Sequence, residues 1–423
     1  MTWVMRWLGR RVGALDSAGV PGQIKAPRRA IPNTGGVAIF LGIALPMLAA
    51  LVLVNVVDEG VVARYLPALT ALPSDTGVAS DGGLGPASSP GPGRLSALEG
   101  IRERTDVGLI LLACLGTLHL VGLLDDRRPL GPYVKLGLQF IAAAIACMGT
   151  QTRLLSMLDI YTGGPWLSIA ITVLWIVVIT NAMNFMDNMD GLSAGVGCIA
   201  AGFFLAATLQ QGQWFVAAAL ALLVGSLLGF LRFNFPRKGG ATIFMGDGGS
   251  LVLGFMLAFL TVRTTYVFPT GLDSPEVTGV VENAGAFGAG RGLPASGAWY
   301  AVFMPVVVMA LPLYDFVSVT ILRLRQGKSP FVGDLQHFSH RLVQRGLSRR
   351  SAVVVIYGFT AVAGIGGVSL ASLQPWQAIL VGVQTLLVLT VLAIFERASS
   401  PNNGGGQGGR LATPQADSDR RGS

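Results

Sequence analysis

Charge is scarce in this sequence. Its 30 Lys and Arg and 22 Asp and Glu make up 12% of 423 residues, about half the roughly 25% usual for soluble domains. That deficit excludes a water-soluble globular chain, because several charge-free stretches exceed the ~18 to 20 residues needed to cross a bilayer. Cysteine is scarcer still: Cys114, Cys147 and Cys198 each lie inside an apolar run. Their spacing matches neither a disulfide framework nor a metal-ligand motif, so they are small hydrophobes that say nothing of redox compartment. Histidine occurs three times. His119 sits in an apolar run and reads as a packing residue, which leaves His337 and His340 in polar surroundings. What the sequence has in plenty is hydrophobic residues, at 52%, and 57 glycines, a composition suited to close helix contacts in lipid.

The charge-poor stretches predict spans near 35–57, 107–124, 134–150, 165–182, 191–209, 214–231, 249–267, 299–321, 351–371 and 375–395. Gln210, Gln211, Gly212 and Gln213 divide one long apolar run into a helical hairpin, and Gln374 with Pro375 divide another. Spanning segments must satisfy their backbone groups internally, so the fold class is all-α: a polytopic integral membrane protein of about ten transmembrane helices. Residues 1–34 form an N-terminal segment whose MTWVMRWLGRRVGAL is interrupted by Arg6, Arg10 and Arg11, fitting an amphipathic helix on the membrane surface better than a signal peptide or a span. Residues 35–396 are the membrane domain. Its outer loops 58–106 and 268–298, and the tail 397–423, are rich in small residues and are expected to be flexible.

Of the 30 basic residues, only Arg64, Arg94, Arg102, Arg104, Arg153, Arg263 and Arg291 fall on one face of this topology. The opposite, basic face is therefore expected to be cytoplasmic. Topology and contact with anionic lipid or phosphate account for the net charge of +8, and no nucleic-acid partner is needed.

The same basic face collects Asp125, Asp126, Asp187, Asp190, Asp247, Asp315 and Asp334, with His337 and His340. Any one of these carboxylates alone is as readily a helix cap or a surface ion pair; their local sequences shift the balance. GLLDDRRPLGPYVKLGLQ sets Asp125 beside Asp126 as a span ends, a repelling pair that raises one pKa or recruits a cation. NAMNFMDNMDGLSAG presents Asn184, Asp187, Asn188 and Asp190 at spacings of three or four, so that Asn184, Asp187 and Asn188 can share a face of a helical turn. IFMGDGGSLVLG sets Asp247 between glycines at a helix start, where free N–H groups suit phosphate or metal-bound water. In GKSPFVGDLQHFSHRLVQRG, His337 and His340 are three apart on an expected helical face, with Asp334 one turn earlier and Arg341 alongside. A His-x-x-His pair with no further ligand is a weak zinc signal; with hard oxygens and basic groups around it, phosphate contact is the better chemistry. A hard divalent cation on a few carboxylates, ringed by basic side chains, is the recipe for holding a diphosphate and transferring a phosphoryl unit.

In order and spacing these motifs, with FNFPRKGGATIFMGDGGSLVLG, LPLYDFVSVTILRLRQGKSPFVGDLQHFSHRL and IPNTGGVAIFLG at the first span, resemble the polyprenyl-phosphate N-acetylhexosamine-1-phosphate transferases of glycosyltransferase family 4, which include the phospho-N-acetylmuramoyl-pentapeptide transferases. The resemblance covers roughly residues 25 to 360. It implies a cytoplasm-facing enzyme of the inner (plasma) membrane, dependent on Mg²⁺ with Mn²⁺ as a substitute. Such an enzyme joins a sugar 1-phosphate from a UDP-sugar to an isoprenoid (undecaprenyl) phosphate and releases UMP, the first membrane step of an envelope glycan. It implies that Asp125 and Asp126 activate the lipid phosphate or assist the metal and that Asp247 is a metal ligand. It also implies that Lys135, Asn184, Asp187, Asp190, His337, His340 and Arg341 contact nucleotide-sugar or phosphate. The wording of NFMDNMDGL and HFSHRL favours N-acetylglucosamine over the muramoyl-pentapeptide alternative. The partners implied are a UDP-sugar, a polyprenyl phosphate, the membrane and, in a homodimer, a second copy of the chain. Two departures stand out: Ser339 where the family's His-x-His-His motif carries an imidazole, and an N-terminus too short for an extra first span.

The rival from another class is a secondary transporter, since intramembrane Asp and Arg also mark transport paths. Here the carboxylates gather at one edge rather than at the midplane, and the two halves show no visible pairing. A catalytically dead membrane scaffold is the third reading; the full set of aspartates argues against it.

Overall fold

The computed structural model describes residues 1–14, 31–57, 102, 104–235, 240–266, 299–329 and 336–398. The principal helices are α1 (Thr2–Val12), α2 (Gly35–Val56), α3 (Thr105–Arg127), α4 (Pro132–Gly149), α5 (Trp166–Met186), α6 (Leu192–Gln210), α7 (Trp214–Asn234), α8 (Asp247–Tyr266), α9 (Ala310–Arg325), α10 (Phe338–Gln344), α11 (Arg349–Ser369) and α12 (Pro375–Ala398). Among the described residues, α2 to α7, α11 and α12 are eight helices long and apolar enough to cross a membrane. The chain is thus an all-α polytopic membrane protein.

The other two predicted spans differ from the first eight. The stretch 249–267 is α8, apolar all round, with every residue from Leu251 to Val262 buried. It packs against α2, α3, α5, α6 and α7, the central place such a helix requires. The stretch 299–321 is not one helix but a 3₁₀ turn (Trp299–Phe303), a short helix (Met304–Val308) and α9. Pro312 has no N–H for the carbonyl four residues back, at Val308, and the chain breaks between the two. At the periphery, α12 leaves Trp376, Ile379, Leu380, Leu386 and Leu387 exposed, an apolar face for lipid.

One edge of the bundle gathers the start of α2, the end of α3, the start of α4, the end of α5 and the start of α8. Phe244 N–H donates to the Pro32 carbonyl, Gly35 N–H to Phe244 and Gly36 N–H to Met245, each at 2.9 Å, so residues 32–36 run beside the segment that leads into α8. Two glycines let neighbours touch the first turn of α8. A Cβ on Gly36 would lie 2.4 Å from the Gly249 nitrogen, and one on Gly122 2.4 Å from Gly248.

Boundaries shift in ways that matter below. α3 continues past residue 124 to Arg127, so Asp125 and Asp126 belong to its last turn. α12 runs to Ala398, two residues beyond the expected end of the membrane domain. Asp334, Lys25, Arg28 and Arg29, most of both outer loops and the tail after Ala398 lie outside the described residues.

Candidate active site

Asp247 opens α8, whose first N–H groups have no partner within the helix. Asp126, reaching across from the end of α3, supplies it: one carboxylate oxygen accepts the Asp247 N–H at 3.1 Å and the other the Gly248 N–H at 3.4 Å. Negative charge at a helix N-terminus is favoured by the helix dipole. The Asn33 side chain adds a hydrogen bond to Asp126. Gly246 turns the chain into α8 at φ +67, and a Cβ there would meet Asn33 Oδ1 at 2.4 Å and Asp126 Oδ2 at 2.5 Å.

The Asp247 carboxylate faces the other way. Its Oδ1 accepts from Asn184 Nδ2 at 2.9 Å, and that amide also donates to Ser250 Oγ at 2.8 Å. Its Oδ2 accepts from Lys135 Nζ, which reaches Asp125 Oδ2 at 3.3 Å. Asp125 Oδ1 takes the Leu130 N–H at 2.8 Å and so fastens the α3–α4 turn. The side chains of Lys135, Asp125 and Asp247 keep 15%, 18% and 29% of their surface exposed, enough to meet a substrate. Three carboxylates and one ammonium leave an excess of negative charge that favours a further cation.

Lys135 shows where such a cation fits: its ammonium stands between Asp125 and Asp247, two hard oxygen donors facing one point. Mg²⁺ takes one or two carboxylates and fills the rest of its shell with water and substrate phosphate, which this donor set satisfies. Of the three aspartates expected from the sequence to serve a metal, Asp125 and Asp247 face this point. Among the described residues no three acidic, histidine or cysteine side chains form a metal cage, and both Asp126 oxygens are committed to backbone N–H groups.

A second polar cluster adjoins the first through residues 184–188. Asp315, buried in α9, accepts from His337 Nδ1 at 2.9 Å and from the Phe338 N–H at 2.6 Å. Phe185 meets the His337 ring edge-on, 5.7 Å between centroids. Ser339 Oγ donates to Asn188 Oδ1 at 2.6 Å, and Arg341 donates to Ser318 at 3.0 Å. Burial, joined by the charges of His337 and Arg349, holds the His340 imidazole below its ordinary pKa against the opposing pull of Asp315 and the Asn188 backbone.

Two spacing arguments are corrected here. His337 and His340 do not share a helical face: Asp315 caps the Phe338 N–H, so α10 starts after His337, which is extended at φ −65, ψ 149. Asn184 and Asp187 do not present one helical face either, because α5 ends at Met186. Asn184 turns to Asp247. The Asp187 N–H closes on the Asn184 carbonyl at 3.2 Å, and Asp190 accepts the Ala241 N–H at 3.0 Å, fastening the segment before α8. Sequence reasoning gave no site role to Asp315, Asn33 or Ser250. Ser250 had a signal, three residues after Asp247 and hence one turn along the same helix, and Asp315 had one in its place among the carboxylates of the basic face; the pairing of Asp315 with His337, and that of Asn33 with Asp126, cross sequence separations that local spacing does not reach.

Residues 108–265 match a family described as glycosyl transferase family 4. The chain is 30% identical to a decaprenyl-phosphate N-acetylglucosaminephosphotransferase of Mycolicibacterium smegmatis, covering 93% of this chain and 84% of that protein. It is 26% identical to a probable undecaprenyl-phosphate N-acetylglucosaminyl 1-phosphate transferase of Bacillus subtilis, covering 93% and 86%. It is 28% identical to an undecaprenyl-phosphate alpha-N-acetylglucosaminyl 1-phosphate transferase of Escherichia coli, covering 68% and 70%.

Proposed function

The chain belongs to the polyprenyl-phosphate N-acetylglucosamine-1-phosphate transferases of glycosyl transferase family 4, and we propose that its reaction takes place at the membrane edge where Asp125, Lys135, Asn184 and Asp247 meet. The enzyme transfers N-acetylglucosamine 1-phosphate to a polyprenyl phosphate, the activity named for its relatives. The muramoyl-pentapeptide and transporter readings are not favoured by those relatives. The donor is UDP-N-acetylglucosamine and the site faces the cytoplasm from the inner membrane, as the basic residues around it suggest.

A lipid phosphate oxygen forms a bond to the β-phosphorus of the donor while the bridging bond to UMP breaks, and UMP leaves with that oxygen. The second pKa of a phosphate monoester is near 6, so the nucleophile is mostly ionised at neutral pH and general-base help is a small term. Asp125 is the carboxylate placed to take any remaining proton, since Asp126 is occupied by the α8 backbone. Lys135 holds the two site carboxylates together and is the cation closest to an arriving diphosphate. Asn184 and Ser250 fix the Asp247 carboxylate in one orientation, a preorganisation that costs nothing at the moment of reaction. With Nδ1–H donating to Asp315, His337 keeps Nε2 for sugar or phosphate; His340 and Arg341 lie on the following turn. A Mg²⁺ held by Asp125 and Asp247 would supply neutralisation of the diphosphate charge.

The observation that carries this reading is the partly exposed Asp247 carboxylate at the start of the central helix, faced by Asp125, Lys135 and Asn184. Purified protein with Mg²⁺, polyprenyl phosphate and UDP-N-acetylglucosamine should release UMP and form a lipid-linked sugar detected by mass spectrometry. Release of no UMP under any UDP-sugar would end it. Rapid-quench labelling with radiolabelled donor in the absence of lipid separates direct displacement from a covalent route: a phosphosugar that survives denaturation on the protein would exclude the direct one.

A further inference from the structure

The reaction makes no use of α1. One face of this helix is docked. Thr34 Oγ1 donates to the Met5 carbonyl at 2.9 Å, Gly9 is buried against Thr34 and Pro32, and Arg6 donates to Thr242 Oγ1 at 3.3 Å. The Arg6 guanidinium also lies 4.9 Å over the Phe233 ring. At 100° per residue the remaining face reads, going round the helix, Arg10, Trp3, Trp7, Arg11, Val4, Leu8, Val12, and all seven are exposed. Arg11 stacks 4.0 Å over Trp7, and Trp3, Arg6, Trp7, Arg10 and Arg11 line a cleft of about 210 Å³. No acidic residue lies in the first turn to offset the three arginines.

Helix α1 lies at the membrane edge that holds the site. Thr34 and Thr242, its two hydrogen-bonded neighbours, lie just before residues 35–36, which open α2, and residues 244–245, which pair with them and lead into Asp247. Beside spanning helices, exposed tryptophans belong at the headgroup level, with Val4, Leu8 and Val12 entering the acyl boundary and Arg10 and Arg11 left among phosphates.

We propose that the Trp3, Trp7, Arg10 and Arg11 cleft of α1 binds the phosphate headgroups of anionic bilayer phospholipids, and that its occupancy steadies, through Arg6 and Thr242, the segment that presents Asp247. Charge complementarity selects this occupant: the face carries arginine and no carboxylate, and each basic residue near an anionic surface adds about fivefold to binding. The headgroup site stands independently of the transferase reading; the effect on turnover rests on it.

The test uses the full chain. Binding of phosphatidylglycerol and of phosphatidylcholine is measured by native mass spectrometry, and UMP release is measured in vesicles of each composition. Wild type should bind phosphatidylglycerol at least tenfold better than phosphatidylcholine, and Arg10→Gln with Arg11→Gln should lower that binding about 25-fold with an unchanged melting temperature. UMP release should rise severalfold with phosphatidylglycerol in wild type and stay flat in the double variant. Thr242→Ala, which leaves every arginine of the cleft in place but removes the Arg6 contact, should bind the lipid normally yet lose most of that rise. Should the double variant fail to fold, the single variants are read the same way, at about fivefold each. Equal binding of the two lipids, undiminished binding by the arginine variants, or preferential displacement of phosphatidylglycerol from α1 by polyprenyl phosphate would each overturn the proposal. A chain that binds phosphatidylglycerol through α1 but releases no UMP would sink the transferase reading and leave the headgroup site standing.

Discussion

Asp126 holds the backbone of Asp247 with both of its carboxylate oxygens, at 3.1 Å to the Asp247 N–H and 3.4 Å to that of Gly248, while the Asp247 carboxylate faces Lys135 on the opposite side of the turn. Two aspartates adjacent in sequence, Asp125 and Asp126, therefore do different things: one lines the site and the other fixes the helix that carries it.

Replacing Asp126 by Ala should remove a cap, costing about 0.5–2 kcal/mol of stability, and lower kcat by disordering the first turn of α8. Asp126→Asn keeps one acceptor and should fall between. Asp247→Asn should leave the melting temperature near wild type and abolish UMP release. Thermal melting by fluorescence-detected gel filtration, paired with kcat, distinguishes them; a stable and fully active Asp126→Ala protein would remove the capping role.

Lys135 occupies the gap between Asp125 and Asp247, so its removal has opposite effects on metal and on turnover. Lys135→Gln should bind Mn²⁺ more tightly in the absence of substrate, by roughly tenfold or about 1.4 kcal/mol, because a competing ammonium has gone. Its UMP release should nevertheless fall by at least tenfold. Electron paramagnetic resonance titration of Mn²⁺ measures the first effect; weaker metal binding in the variant would show that the gap is not a cation site.

The depressed pKa of His340 gives stability a definite pH dependence. The unfolded chain binds the proton near pH 6.5 and the folded chain only at lower pH, so stability from keeping this ring neutral is complete above about 6.5 and is lost as pH falls through the folded pKa. The melting temperature should decline between pH 7.5 and 5.5, and His340→Gln should flatten that decline. An identical slope in the variant would assign the effect to another group.

Gly122 lies one turn before Asp126 and touches no substrate in the proposed reaction, yet Gly122→Ala should impair the enzyme. Its Cβ would press on Gly248 at 2.4 Å, and relief requires a backbone shift costing about 1–3 kcal/mol. Turnover should drop while lipid insertion is retained; unchanged kcat would mean that α3 can move away without carrying Asp247 with it.

Much of the architecture was legible before any coordinates. The apolar runs located the eight helices long enough to span and the buried α8, because a chain in lipid has few alternatives to a helix, while 299–321 is broken into shorter pieces; the glycines around Asp247 marked a helix start. Local spacing misled at two places for one reason. The His337 and His340 interval is helical, but Asp315, 22 residues earlier, takes the Phe338 N–H and starts the helix one residue too late to include His337. The Asn184 to Asp187 interval is helical too, but α5 ends at Met186 and the following residues turn to separate neighbours.

Composition and short-range pattern by themselves determined that this chain lives in a membrane, that it is helical, and that its acidic and basic side chains collect at one edge. Only the packing of α2, α3 and α5 around α8, with α4 docked on α3 and α5, decided that Asp125 faces Lys135, that Asp126 caps α8, and that Asn184 orients Asp247. Adjacent helical residues point about 100° apart, and which of them meets a neighbour is settled only when the helices dock.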